Sequence, residues 1–291
     1  MDFRAIGMGL LFAFIWSSAF TSARIIVADA SPVASLALRF LVSGLIGVGL
    51  AKALGQTWNL TRDQWRATFV FGLCQNALYL GLNFVAMQWI EASLASIIAS
   101  SMPLMVAFAG WSLFREKLPP LGIIGMAAGF TGVILIMGTR LGGGVDALGV
   151  GLCIIAAIAL TIATMIMRGA SSGGNVLMVV GLQMLVGSAI LAVCAVLLED
   201  IHATITLPLV LAFTYTTLAP GLLATWIWFK LVQRIGAVQA ATFHFLNPFF
   251  GVAVATVVLG EALGMIDLVG VVIITLGILA VQLSKQKPTQ S

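Results

Sequence analysis

Ten uninterrupted apolar runs, each close to the roughly 20 residues that a helix needs to cross the hydrocarbon core of a bilayer, constrain this chain more than any other feature. They cover residues 5–27, 32–53, 66–88, 92–113, 120–138, 147–167, 176–198, 208–232, 237–259 and 265–283, called spans 1 to 10. Strands of a membrane barrel would be about 10 residues long with strict alternation. The runs are longer and continuous, so they read as helices, whose backbone groups bond within the segment. Turn chemistry marks the joints: Asp29-Ala30-Ser31-Pro32, Gly55 to Asp63, Pro119-Pro120, Gly142 to Gly144, Gly169 to Asn175, and Gly264. The first run is too long for the apolar part of a signal peptide and is expected to remain.

Composition agrees. The chain has 291 residues with 14 basic and 10 acidic side chains, 8% charged, and a mean hydropathy of +1.14. A soluble domain carries about 25% charge, so a soluble enzyme, a nucleic-acid binder, a secreted disulfide scaffold and a disordered chain are excluded. The net charge of +4 fits basic residues gathered in cytoplasmic loops. With the N-terminus inside, that side holds Arg4, Lys52, Arg62, Arg66, Arg115, Lys117, Arg168, Lys230, Arg234, Lys285 and Lys287, and only Arg24, Arg39 and Arg140 remain for the other. Both termini are therefore expected in the cytoplasm. Cys74, Cys153 and Cys194 lie far apart inside apolar runs and read as small core hydrophobes.

The chain is a duplication. An offset of 145 carries Pro103 onto Pro248 and Glu116 onto Glu261; it also pairs Gln88 with Gln233, Gly125 with Gly270, and Gly132 with Gly277. Such register across several helices marks an internal repeat, with halves 1–141 and 142–291. Five spans per half is an odd number, so the second half must be inverted in the membrane. The loop Phe114-Arg115-Glu116-Lys117 loses both basic residues in its counterpart Leu259-Gly260-Glu261-Ala262, as inversion requires. Inverted repeats are typical of secondary transporters, whose substrates bind near the midplane at the repeat interface.

Polar side chains at mid-span are unevenly shared. They include Trp16 and Ser17 in span 1; Asn76, Tyr79 and Asn83 in span 3; Ser100 in span 4; Thr161 in span 6; Trp226 in span 8; His244 and Asn247 in span 9. Asn76, Tyr79 and Asn83 stand at i, i+3 and i+7, one helical face. Spans 2, 5, 7 and 10 carry mainly aliphatic residues and glycine. The expectation is a polar cavity lined by spans 1, 3, 4, 6, 8 and 9 and braced by the others. Serine and threonine in membrane helices also bond back to their own backbone or cement helix pairs. Amides are costlier in lipid, which favours Asn76, Asn83 and Asn247 as cavity residues. Pro103, Pro220 and Pro248 are the kink or hinge candidates, and Pro103 and Pro248 should free the carbonyls of Ala99 and His244. His244 is the one central group that titrates near neutrality. It reads as a neutral, hydrogen-bonded ring, with a proton site as the alternative. Trp58, Trp65, Trp89 and Trp111 fall near span ends, as an interfacial belt would.

No Asp, Glu or Lys lies at mid-span, and the only basic residue away from the span ends is Arg39, about two turns into span 2, a bracing helix, near the outer surface. A cation pump would want a buried carboxylate, and a phosphate carrier paired basic residues. No phosphate-binding loop is present, so the chain does not itself use ATP. A neutral or zwitterionic solute remains, held by amides, hydroxyls, carbonyls and aromatic faces.

Trp16-Ser17-Ser18-Ala19-Phe20, Ala37-Leu38-Arg39-Phe40-Leu41, and the stretches 92–132 and 237–277 with Pro and Glu at fixed spacing together resemble the EamA family of the drug/metabolite transporter superfamily, over nearly the whole length. Within it the chain looks most like the bacterial YddG-type exporters of aromatic amino acids. The resemblance implies a ten-helix exporter of amino acids and related metabolites in a bacterial inner membrane, with a central cavity between the repeats. The expected partners are a small-molecule substrate and the bilayer, with no nucleic acid, no cofactor and no metal, in a monomer. A multidrug exporter and a passive channel are the competing readings. An intramembrane enzyme would need a dyad that His244, without a carboxylate at mid-membrane, does not offer.

Overall fold

Turn chemistry at the joints sets where each helix begins and ends. The structure, a computed structural model, describes residues 2–166 and 174–285. Arg168, Lys287 and most of the expected turn from Gly169 lie outside the described residues. Among the described residues, ten helices are long and apolar enough to cross a membrane: Phe3–Asp29, Pro32–Ala53, Arg62–Ala86, Ala92–Leu113, Pro120–Gly142, Ala147–Met165, Val176–Leu198, Leu207–Ile235, Gln239–Leu259 and Met265–Ser284. They are spans 1 to 10 as expected. Among the described residues there is no strand, only an isolated antiparallel bridge between Ala30 and Ala203.

Where limits differ from expectation, a cap explains it. Span 3 starts a turn early because Thr61 and Gln64 form a capping box, Thr61 Oγ1 accepting from the Gln64 N–H (3.3 Å) and Gln64 Oε1 from the Thr61 N–H (2.9 Å). Span 8 starts at the Thr206 cap, whose Oγ1 accepts from the Leu209 N–H at 3.2 Å, and runs to Gly236, whose φ of 81° ends it. Span 5 continues to Gly142 because Arg140 is anchored: Nη1 donates to Glu91 at 2.7 Å and Nη2 to Asp267 at 2.8 Å.

Four spans are not uniform α-helix. Span 3 is π-helical over Gly72–Leu80 and span 8 over Ala219–Leu223. The repeat offset carries 72–80 onto 217–225, which contains the second stretch, so both repeats break at one place. Pro220 accounts for span 8, since it lacks an N–H and shifts the ladder to longer bonds. Span 4 changes at Ser101, between Ala92–Ser100 and Met102–Leu113. Span 9 passes through a 3-10 turn at Phe243–Leu246 before Asn247–Leu259. Pro103 and Pro248 each sit at the second residue of the helix that follows.

The chain forms two compact units, and each draws helices from both repeats. One comprises Met1–Thr21, Trp89–Val150 and Leu223–Ser291; the other comprises Ser22–Gln88 and Gly151–Leu222. In the first unit, spans 5 and 10 pack through glycine. A Cβ on Gly277 would fall 2.6 Å from the Gly125 oxygen and 2.8 Å from the Gly129 Cα, and one on Gly270 3.2 Å from the Gly132 oxygen. Spans 4 and 9 meet as closely at Gly251, where a Cβ would lie 1.8 Å from Ser96 Oγ. In the second unit, spans 2 and 7 do the same: a Cβ on Gly181 would lie 2.7 Å from the Val48 nitrogen. Ser188 Oγ donates to the Ala37 oxygen at 2.8 Å across that pair. Each of these pairs joins a helix to its own repeat counterpart. The bracing expected of spans 2, 5, 7 and 10 is thus a pair of glycine-faced contacts, 2 with 7 and 5 with 10.

Two helix starts are held by distant carboxylates. Glu261 accepts from the N–H groups of Ala92 (2.8 Å) and Ser93 (2.9 Å), and Glu199 from those of Val33 and Ala34 (both 2.9 Å). Each satisfies orphan donors and sits at the positive end of a helix dipole.

Gly277→Ala should lower thermal stability in detergent by about 1–3 kcal/mol, since its Cβ meets backbone and not a movable side chain. Gly7→Ala, with nothing within 4 Å of its Cβ, should leave the melting temperature unchanged. Equal melting temperatures for the two variants would contradict close packing of spans 5 and 10.

Candidate functional site

In the first unit, the irregular turn of span 9 gathers an aromatic and amide group. Pro248 cannot donate, and the chain before it tightens into the 3-10 turn. The His244 carbonyl is consequently not free, as the proline rule suggested: it accepts from the Asn247 N–H. The Ser101 N–H likewise turns back at the matching place in span 4, bonding the Ile98 oxygen at 3.1 Å. A turn of three residues stacks side chains i and i+3. His244 and Asn247 are so spaced, and Asn247 Nδ2 lies 3.0 Å from His244 Nδ1. An amide nitrogen only donates, so Nδ1 is assigned as acceptor and the ring proton to Nε2. Asn247 Oδ1 is buried without a partner, and so are Ser17 Oγ and Ser93 Oγ.

Aromatic rings surround this pair. Phe12 meets His244 edge-on at 5.3 Å between centroids, and Trp228 lies 5.2 Å from the same ring. Phe12 also packs on Trp16 at 5.7 Å and on Trp228 at 5.0 Å. Phe12 and Trp16 share a face of span 1 as i and i+4. Trp16, Trp228, His244 and Asn247 are all partly exposed. The group offers apolar faces and an unfilled carbonyl acceptor, which suits a solute carrying an aromatic or aliphatic part and a donor such as an ammonium.

In the second unit, the polar residues of span 3 are spent on helix contacts. Asn83 Nδ2 donates to the Tyr79 oxygen at 2.7 Å, and Asn83 Oδ1 lies 3.2 Å from Cys153 Sγ. Asn76 Nδ2 donates to the Gln183 oxygen of span 7 at 2.9 Å. Asn76, Tyr79 and Asn83 are all buried. Their common face assumed α-helical phase, whereas the i→i+5 bonding of Gly72–Leu80 turns Asn76 and Asn83 toward different neighbours.

The remaining expected residues divide. Ser100 Oγ donates to the Ser96 oxygen (2.7 Å) and Thr161 Oγ1 to the Ala157 oxygen (2.8 Å), bonds within their own helices. Trp226 is 52% exposed, while Trp228, two residues on, belongs to the aromatic group. Sequence reasoning missed Phe12 and Trp228; the signal for Phe12 was its i−4 spacing from Trp16. Trp58, Trp65, Trp89 and Trp111 are all exposed, as a belt requires. Among the described residues, no group of three or more His, Cys, Asp or Glu could hold a metal ion.

Ten apolar helices in two repeats define a multi-pass membrane protein. The sequence profile of the EamA-like transporter family matches the chain twice, over residues 3–138 and 147–283, and the chain belongs to that family. It is 25% identical over 273 residues to the uncharacterized transporter YvbV of Bacillus subtilis (strain 168), covering 92% of this chain and 89% of that one. It is 25% identical over 287 residues to the uncharacterized inner membrane transporter YedA of Escherichia coli (strain K12), covering 95% and 90%. Protein PecM of Dickeya dadantii (strain 3937) is 23% identical over 271 residues, covering 92% and 89%. A protein of solved crystal structure shares the fold with a TM-score of 0.67 at 18% identity, covering 96% of this chain and 98% of that one. The protein is a membrane transporter and not an enzyme.

Because an amide N–H faces Nδ1, a second ring proton would set donor against donor. Transport should therefore vary little between about pH 6 and 8, on either side of the ordinary histidine range, and His244→Gln should keep substantial activity. A steep pH profile in liposomes that disappears in His244→Gln would make this ring a proton carrier instead.

Proposed function

We propose that the protein exports small neutral or zwitterionic metabolites, with amino acids bearing aromatic or bulky apolar side chains foremost, by alternating access. The observation that carries this reading is the group formed by Phe12, Trp16, Trp228, His244 and Asn247. It draws on both repeats, as inverted-repeat carriers do at their substrate sites. The cargo's apolar part rests on Trp16 and Trp228, and its ammonium donates to Asn247 Oδ1.

The irregular segments are the hinges. A π or 3-10 turn has weaker backbone bonding than an α-helix, and Pro103, Pro220 and Pro248 stand at or beside such turns. Asn76 and Asn83 hold span 3 to its neighbours during the movement. Both termini face the cytoplasm, on the charge asymmetry of the loops.

Liposomes carrying the protein should show saturable counterflow of phenylalanine and leucine, and little movement of sugar phosphates. Asn247→Ala should raise the apparent KM about tenfold, because a lost buried hydrogen bond costs about 1–3 kcal/mol and 1.4 kcal/mol is a factor of ten, and Trp16→Ala should raise it about as much through lost apolar contact, worth about 25 cal/mol per Å². Strong transport of quaternary cations with none of amino acids would assign a drug exporter, and flux without saturation or exchange a channel. For topology, cysteines placed singly at Lys285 and Gly143 in a Cys-free variant should label from outside intact cells at 143 and not at 285. The reverse pattern would invert the orientation.

A further inference from the structure

Arg39 is a cation buried in a membrane-spanning helix without a counter-ion among the described residues. It lies at the eighth residue of Pro32–Ala53 and is 5% exposed. Its Nε has no hydrogen-bond partner. Arg140 pairs with Glu91 and Asp267, and Arg234 with Asp2; Arg39 is in none of these pairs. Two carboxylates of its own unit near the start of this helix are committed elsewhere. Glu199 holds the N–H groups of Val33 and Ala34, about 9 Å back along the helix at 1.5 Å per residue. Asp29 accepts from Thr206 Oγ1.

What does surround the guanidinium is arranged around it. Its Cζ lies 5.1 Å from the centroid of the Phe40 ring, a contact that attracts a cation without using an N–H donor. On another side is bare backbone of the π-helical stretch of span 8. A Cβ on Gly221 would come within 3.9 Å of Arg39 Nη2, 3.1 Å of Ser43 Oγ and 3.3 Å of the Thr216 oxygen. Ser43 Oγ itself donates to the Thr217 oxygen at 3.2 Å. Pro220 and Gly221 thus bring an irregular turn, with no side chain at its closest point, against the arginine.

An unpaired ionised side chain inside a membrane is expensive to keep, and such residues mark ligand paths. A planar fork of N–H donors matches a carboxylate in two-point fashion. We propose that Arg39 is a carboxylate-binding residue of the transport path, and that the cargo or a co-transported solute is a monocarboxylate received there. Arg39 then discriminates acids and zwitterions from amines and amides of the same shape. This goes beyond the proposed function, because it holds for any carboxylate-bearing cargo, whether or not that cargo is an amino acid.

The test uses the full chain purified in detergent and three probes of similar shape: 3-phenylpropanoate, 3-phenylpropanamide and phenethylamine. Thermal unfolding should shift upward, saturably, with 3-phenylpropanoate and not with 3-phenylpropanamide, and any shift with phenethylamine, whose ammonium would meet Asn247, should be the same in wild type and Arg39→Gln. In Arg39→Gln the apparent affinity should fall at least tenfold, and Arg39→Lys, which keeps the charge without the fork, should fall between. An equal shift in wild type and Arg39→Gln, an equal shift with the amide, or no shift in wild type up to the solubility of the probe would overturn the proposal. If Arg39→Gln does not fold, the wild-type comparison of acid with amide and the Arg39→Lys affinity decide it. Phenylalanine counterflow separates the two readings. Carboxylate binding that depends on Arg39, without amino-acid transport, removes the proposed function and keeps the site. Phenylalanine transport with an unchanged KM in Arg39→Gln removes the site and keeps the function.

Discussion

In hydrocarbon a backbone N–H or C=O finds no water, so every helix end near the membrane has to be satisfied from within the protein. Much of the structure follows from this one requirement. The first N–H groups of spans 2 and 4 are taken by Glu199 and Glu261, which come from the loops that follow spans 7 and 9. Such clamps fix where two helices start relative to distant parts of the chain. They also use carboxylates that would otherwise be free to act as cation ligands. Arg140 extends the same logic at one end of its unit, joining Glu91 beside the span 4 start to Asp267 in the first turn of span 10.

The second constraint is the absence of a hydrophobic driving force between helices in lipid. Close packing of small residues takes its place. Glycine on span 5 meets glycine on span 10, and glycine on span 2 meets glycine on span 7. These are repeat counterparts, so each small-residue face meets its own copy in the other repeat. Rigid glycine-faced pairs stand beside spans 3, 4, 8 and 9, whose helices are interrupted by π, turn or 3-10 segments. Rigidity and irregularity are therefore carried by different helices.

Much of this was legible in the sequence. The ten spans follow from composition alone, and the bracing helices from their glycine and aliphatic content, because lipid imposes simple local rules. The phase of span 3 was not legible. Pro220 signals the π stretch of span 8, but Gly72–Leu80 has no proline, and its form accompanies close contact with span 7, where a Cβ on Gly72 would lie 2.8 Å from the Gln183 oxygen. Hence Asn76 and Asn83 turned to neighbouring helices, as a 3.6-residue period could not foretell. Asn247 and His244 met through a turn that Pro248 only hinted at. Phe12 and Trp228 gained a place in the group only when the fold set them around that histidine. Arg39 carried its signal openly, yet only burial without a partner gives it meaning.

The central claim is that a neutral or zwitterionic solute with an apolar side chain is bound by the aromatic group around His244 and Asn247. Photo-crosslinking tests it most directly, using an amino acid with a diazirine side chain on the protein in liposomes, followed by peptide mapping. The account predicts adducts within residues 12–16, 224–235 and 243–250, all suppressed by excess phenylalanine. Adducts confined to spans 2, 5, 7 and 10, or unaffected by phenylalanine, would contradict it.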